Sequence, residues 1–182
     1  MSELIAAARD LAGELLGVGS ERWCHSAGVA ERAQELTGAV PADDRELLVA
    51  AAWLHDIGYA PELRETGFHP LDGADGLRAR EWEPRVCALV AYHSGARFVA
   101  EDRGLLPELS RYSEEESPLT DALTYADQTV GPGGRRMTFD DRVADMLRRH
   151  GSDSPNARVH ARRGPYLAAI ADRVRARLGC IL

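Results

Sequence analysis

Apolar residues recur at helical spacing along almost the whole chain, and no run shows the alternation or β-branched enrichment of a strand. This pattern excludes sandwiches, barrels and parallel-sheet folds. It predicts an all-α helical bundle of about 7–9 helices. Helix boundaries are signalled clearly. "ELIAAARDLAGELL" (3–16) stops at the glycines of "GVG". Ser20 is placed to cap a helix ending near Thr37-Gly38, and Asp43 with Glu46 has capping-box spacing at the start of a helix over 43–57. His69 opens a helix that breaks near Pro84, and the next one ends at His93. Ser117-Pro118 and Thr138 start two more helices, the latter running to Gly151. The final helical stretch starts at Ser154-Pro155 and is expected to kink or split at Gly164-Pro165. Residues 96–117 are the most irregular and are a candidate lid or surface connection.

The 182 residues suit a single domain, with a core over about 20–150 and a helical extension over 151–182 packed on it. No apolar run reaches the length of a membrane span, and the N-terminus lacks the basic, apolar pattern of a secretory signal. Cys24, Cys87 and Cys180 are odd in number and have no C-x-x-C spacing, so free thiols are expected. Together these features predict a cytoplasmic protein.

The net charge of -7 argues against a nucleic-acid polymer as partner. Its distribution is uneven. Residues 1–130 hold 11 arginines against 24 acids, residues 131–182 hold 11 against 5, and there is no lysine. The basic tail is expected chiefly to pack on the acidic body, with some guanidinium groups facing an anionic substrate.

The chemistry begins at "AAWLHDIGYAP" (51–61), where an apolar helix ends on His55-Asp56. A carboxylate there is costly unless paired or metal-bound. Helix arithmetic supplies partners. His25 lies about as far before the turn between its helix and the next as His55 lies after it; at ~1.5 Å per residue both return to one level. His69 and His93 meet in the same way across the break near Pro84, and Asp127 lies toward the end of its helix. Four histidines and two aspartates are thus candidates for one cluster suited to Fe, Mn, Co, Ni or Zn. One metal could take His55 and Asp56 at a frayed helix end. Two take them more easily, with Asp56 bridging. Six ligands also exceed what one catalytic metal needs, so a binuclear centre is favoured. His150 and His160 read as structural. Trp23, Trp53, Trp82 and Tyr92 are expected to pack around the ligands and limit solvent access.

His25, "HDIG" at 55–58 and Asp127 in "TYADQTVG" resemble the H…HD…D signature of the HD-domain superfamily of metal-dependent phosphohydrolases. "HPLDGADGL" and "VAYHSG" resemble further elements of members with two metals, among them HD-GYP phosphodiesterases and diiron oxygenases. The resemblance implies the HD bundle, with His25, His55, Asp56 and Asp127 on one metal and Asp56, His69 and His93 on the second. Tyr59 stands where the HD-GYP branch has lysine, and "HSGARF" replaces its G-Y-P element, so cyclic-di-GMP hydrolysis is not supported.

The implied function is a metal-dependent phosphohydrolase acting on a small phosphorylated metabolite or nucleotide. Its cofactors would be two divalent metal ions, Fe or Mn first, with Mg, Ni, Co or Zn as alternatives. Asp56, Arg97 and Arg135 are the catalytic candidates, with Arg136 next and Asp121 behind Asp127. A diiron oxygenase and a non-catalytic, metal-stabilised regulatory domain are the alternatives. A homodimer is also compatible with the sequence.

Overall fold

A computed structural model describes residues 2–150 and 154–179; the side chains of 147, 149 and 150 lie outside the description, as do Gly151 and Cys180. The described residues form an all-α bundle: α1 Glu3–Leu16, α2 Glu21–Glu35, α3 Arg45–Leu54, α4 His69–Ala79, α5 Pro84–Tyr92, α6 Ala96–Arg103, α7 Leu106–Leu109, α8 Pro118–Asp127, α9 Phe139–His150, α10 Pro155–Arg158 and α11 His160–Arg177. Among the described residues the only extended pairing is one bridge between Val130 and Arg136. No helix among them is long and apolar enough to cross a membrane.

Serine caps set several of the helix starts. Ser20 Oγ accepts from Trp23 N at 3.1 Å. Ser117 and Thr120 form a reciprocal capping box at α8, with Pro118 in the first turn. Thr138 Oγ1 accepts from Asp141 N at the head of α9. The Asp43–Glu46 box does not form. Residues 42–44 wind as a 3-10 turn that places Asp43 inside the turn and starts α3 at Arg45. Asp44 instead binds Arg85.

Residues 96–117, expected to be irregular and to form a lid or a surface connection, are more regular than that. α6 and α7 occupy much of this segment, and Val99, Ala100 and Leu109 are buried. Pro165 does not split the last helix, which runs through it. The break falls earlier, at Val159 between α10 and α11. The basic tail does pack on the acidic body: Arg158 pairs with Asp102, Arg162 with Glu101, and Arg173 and Arg177 both with Asp121.

Two apolar clusters flank α3. Leu71, Leu77, Val86 and Val90 of α4 and α5 join Ala8 and Ala12 of α1 on one side. Val29 and Ala33 of α2, Leu123 and Ala126 of α8, and Ile170 and Val174 of α11 lie on the other. α3 feeds both, giving Ala50 and Leu54 to the first and Leu48, Val49, Ala51 and Ala52 to the second. A helix that is apolar all round is a central one. Its C-terminal end delivers His55 and Asp56 to the seam between the two clusters.

Candidate metal centre

Each half of the site is an antiparallel pair of helices. His25 sits at the start of the second turn of α2, and His55 follows the last residue of α3; their Nε2 atoms are 3.3 Å apart. His69 opens α4, and His93 follows the last residue of α5; these Nε2 atoms are also 3.3 Å apart. Asp56 lies between the halves. Its Oδ1 is 3.3 Å from His69 Nε2 and 3.6 Å from His55 Nε2, and its Oδ2 is 3.8 Å from His25 Nε2. Asp127, the last residue of α8, places Oδ1 3.1 Å from His25 Nε2 and 3.8 Å from His55 Nε2. Two donor triads result, His25–His55–Asp56 and Asp56–His69–His93, each with donor atoms within 4.8 Å of one another and Asp56 common to both.

Hydrogen bonding fixes which ring nitrogens face inward. Nδ1 of His25 lies 3.1 Å from Gly131 O, that of His55 2.8 Å from Ala52 O, and that of His93 2.7 Å from Val90 O. A carbonyl only accepts, so each Nδ1 carries the proton; the neutral rings of His55 and His93 turn an Nε2 lone pair to the centre, while His25 Nε2 faces Asp127 Oδ1 at 3.1 Å and holds a proton there until a cation replaces it. A divalent cation satisfies such a donor set, and the residues present fit one.

Charge and burial act together here. Burial is the largest influence on His55 and pulls its pKa down to about 4, against the attraction of Asp56 and Asp127. Burial also carries His69 well below its ordinary value. For His25 burial is again the largest influence, but the hydrogen bond to Asp127 and the charges of Asp56 and Asp127 prevail and raise its pKa. Burial opposes ionisation of Asp56 and Asp127, yet the surrounding histidines and arginines keep both well below the usual carboxylate range.

These shifts predict an acid-sensitive metal-free fold. The folded pKa of His55, about 4, lies below its ordinary 6.5, so between these values the unfolded chain binds the extra proton. Stability is full above that window and is lost as pH falls through it; His69 acts in the same direction and His25 in the opposite one. The melting temperature of chelator-treated protein is expected to drop between about pH 7 and pH 4.5. The drop should be smaller in His55→Asn, and equal slopes for the two proteins would refute this origin.

The cluster forms the floor of a cavity of about 200 Å³, whose walls include Arg22, Tyr59, Arg103, Gln128, Arg142 and Arg163. Arg22 Nη1 donates to Asp56 Oδ2 at 2.9 Å, and its guanidinium stacks on Tyr59, whose ring stacks on His69 at 4.1 Å. Arg142 Nε donates to Val130 O, and its Nη2 is 3.8 Å from Asp127. Asp127 Oδ2 accepts from Ser94 Oγ and from Gln128 Nε2. Ser94 itself has a φ of 53°, left-handed for a residue with a side chain. Its N–H donates to Thr124 Oγ1.

The arginines singled out in the sequence lie elsewhere. Arg97 pairs with Glu114 and stacks on Phe98 and Tyr166. Arg135 is exposed, and Arg136 pairs with Glu35. Asp121 is held by Arg173 and Arg177 rather than standing behind Asp127. Trp23 and Trp53 pack on each other at 5.8 Å, and Tyr92 donates to Leu109 O; neither these residues nor Trp82 line the cavity. Arg22 could have been found from its spacing, one helical turn before His25. Arg142 and Arg163 carry no such local signal. His160 stands in the first turn of α11, beside Gly164.

The fold and site define a class: a helical protein with a buried histidine–aspartate cluster able to hold divalent metal. Residues 22–131 match the HD domain family, and the chain belongs to it. This is a superfamily of metal-dependent phosphohydrolases. No curated protein and no solved structure gives a significant match.

Proposed function

We propose that this protein is a metal-dependent phosphohydrolase with a binuclear centre, acting on a small phosphorylated metabolite or nucleotide. The observation that carries this reading is the convergence of four imidazoles on one shared carboxylate at the floor of an arginine-walled cavity. His25, His55, Asp56 and Asp127 would hold one ion, and Asp56, His69 and His93 the other. When bound, such ions supply Lewis acidity toward a phosphoryl oxygen and a nucleophile at neutral pH.

The chain's own residues do the rest. The Nδ1–H bonds of His25, His55 and His93 to backbone carbonyls lock the ring orientations. Ser94 and Gln128 fix Asp127 through its Oδ2 and leave Oδ1 turned toward His25. Arg22 and Arg142 place positive charge where a phosphoryl group would sit. The volume of about 200 Å³ is below the ~300–1,000 Å³ usual for drug-sized ligands and suits a small substrate or the phosphoryl end of a larger one.

The test is elemental analysis of protein purified without added metal, beside His69→Ala. About two metals per chain, falling toward one in the variant, is the expected result. One metal per chain in both proteins would overturn the binuclear centre. Iron together with substrate-dependent consumption of dioxygen would replace the hydrolase by an oxygenase on the same ligands.

A further inference from the structure

Five residues of the cavity wall, Arg142, Met146, Pro155, Asn156 and Arg163, lie beyond the stretch that matches the family. Among them Arg163 is electrostatically unusual. Its Nε donates to Ser94 O at 2.8 Å, and its Nη1 donates to Asn156 Oδ1 at 2.9 Å. Both partners are neutral. Among the described residues no carboxylate lies within ion-pair distance of Arg163, and its Nη2 has no acceptor. The other arginines of the cavity wall differ: Arg22, more exposed, is paired with Asp56, and Arg142 is 3.8 Å from Asp127. Arg103 at the rim is exposed and donates to the carbonyls of Gly67 and Thr66.

A partly buried guanidinium with no carboxylate in contact is incompletely neutralised, and neutral acceptors fix its direction without neutralising it. Burial shifts the Arg163 pKa downward, against the attraction of the more distant Asp127 carboxylate. The carbonyl that anchors it belongs to Ser94, the neighbour of His93 and a hydrogen-bond partner of Asp127. The free edge of the guanidinium is therefore held beside the metal-ligand cluster, in a geometry suited to a planar oxyanion contact.

We infer that Arg163, aimed by Asn156 and Ser94, is an anion-binding subsite for a phosphoryl group or similar oxyanion of the substrate, contributed by the C-terminal helices. The assignment of a phosphoryl ligand rests on the phosphohydrolase reading. Recognition in this chain is thus divided: the family-matched bundle supplies the metal-binding set, and α10 and α11 supply the charge that selects the ligand.

The experiment titrates inorganic phosphate into the full chain, metal-loaded and metal-free, by calorimetry. Arg163→Gln is expected to weaken phosphate binding at least tenfold while metal content stays unchanged. Asn156→Asp retains the arginine but gives it an internal carboxylate; it is expected to weaken phosphate binding similarly without lowering the melting temperature. A purely structural Arg163 would leave phosphate affinity untouched in Asn156→Asp. Wild-type phosphate affinity in both variants overturns the subsite. Loss of phosphate affinity in a protein that binds no metal keeps the subsite and overturns the phosphohydrolase. Hydrolysis of phosphoesters with unchanged KM in both variants keeps the hydrolase and overturns the subsite.

Discussion

Asp56→Asn is expected to leave less than one metal per chain and to lower kcat/KM toward a chromogenic phosphomonoester by on the order of 10³-fold or more. Even groups that only orient metal ligands contribute roughly 10–100-fold. Asp56 is the one residue common to both donor triads, with Oδ1 toward His69 and His55 and Oδ2 toward His25. Asparagine keeps the size of the side chain but removes the negative charge and one acceptor oxygen. It also deprives Arg22 of its carboxylate partner. The His69–His93 half is then left with imidazoles alone, the other half keeps Asp127 as its one carboxylate, and a newly unpaired arginine stands beside them. Metal analysis and kinetics on the same preparation, with far-UV circular dichroism to confirm folding, make the check. Retention of two metals by Asp56→Asn would remove the shared-ligand assignment and leave two independent sites.

Gly58→Ala is expected to be the most damaging single-methyl addition in the molecule. A Cβ at this position would lie 2.0 Å from His69 O, 2.6 Å from Gly73 N and 2.8 Å from His69 C. All three are backbone atoms of α4, so no side chain can swing aside. α4 must move away from the turn after α3, and the first residue it carries away is His69. A loss of about 3 kcal/mol or more follows from overpacking of this kind. For a chain of this size that corresponds to a melting temperature lower by roughly 6–12 °C. Gly38 is the control, since a Cβ there meets nothing within 4 Å and its φ is not positive. Gly38→Ala should stay within about 0.5 kcal/mol of wild type. Comparable melting temperatures for the two variants would show that the α3–α4 contact is looser than its geometry. The glycine of HDIG thus has a packing reason: it lets the backbone that follows one histidine touch the backbone that carries another.

How much of this was legible in the sequence depended on the range of the interaction. Ser20, Ser117 and Thr138 cap their helices because a cap is decided within three residues. The meeting of His25 with His55, and of His69 with His93, followed from helix rise and short connections. These constrain the level of a residue along a hairpin, though not the direction its side chain takes. Asp43 escaped prediction because Pro41 is followed by a 3-10 turn that displaces the helix start, and the competing pull of Arg85 on Asp44 comes from a distant helix. The arginines were the least legible. Arg97 and Arg135 are near His93 and Asp127 in sequence, but a long flexible side chain goes to the nearest carboxylate in space. For Arg97 that is Glu114. Arg163 reaches the cavity only because α11 packs on α8, a contact spanning dozens of residues and unmarked by any local pattern. The tryptophans were placed near the ligands by position in the chain, whereas Trp23 and Trp53 face away from the cavity and meet each other.

Ser94 ties two helices together by three polar groups: its N–H to Thr124 and its hydroxyl to Asp127, both on α8, and its carbonyl to Arg163 on α11. It does so at a φ of 53°, beside a glycine at 67°. A second glycine would adopt that backbone at lower energy, by about 1 kcal/mol. It would also leave Asp127 without its hydroxyl tether. Stability and order in the site therefore pull in opposite directions at residue 94, a trade-off confined to one side chain.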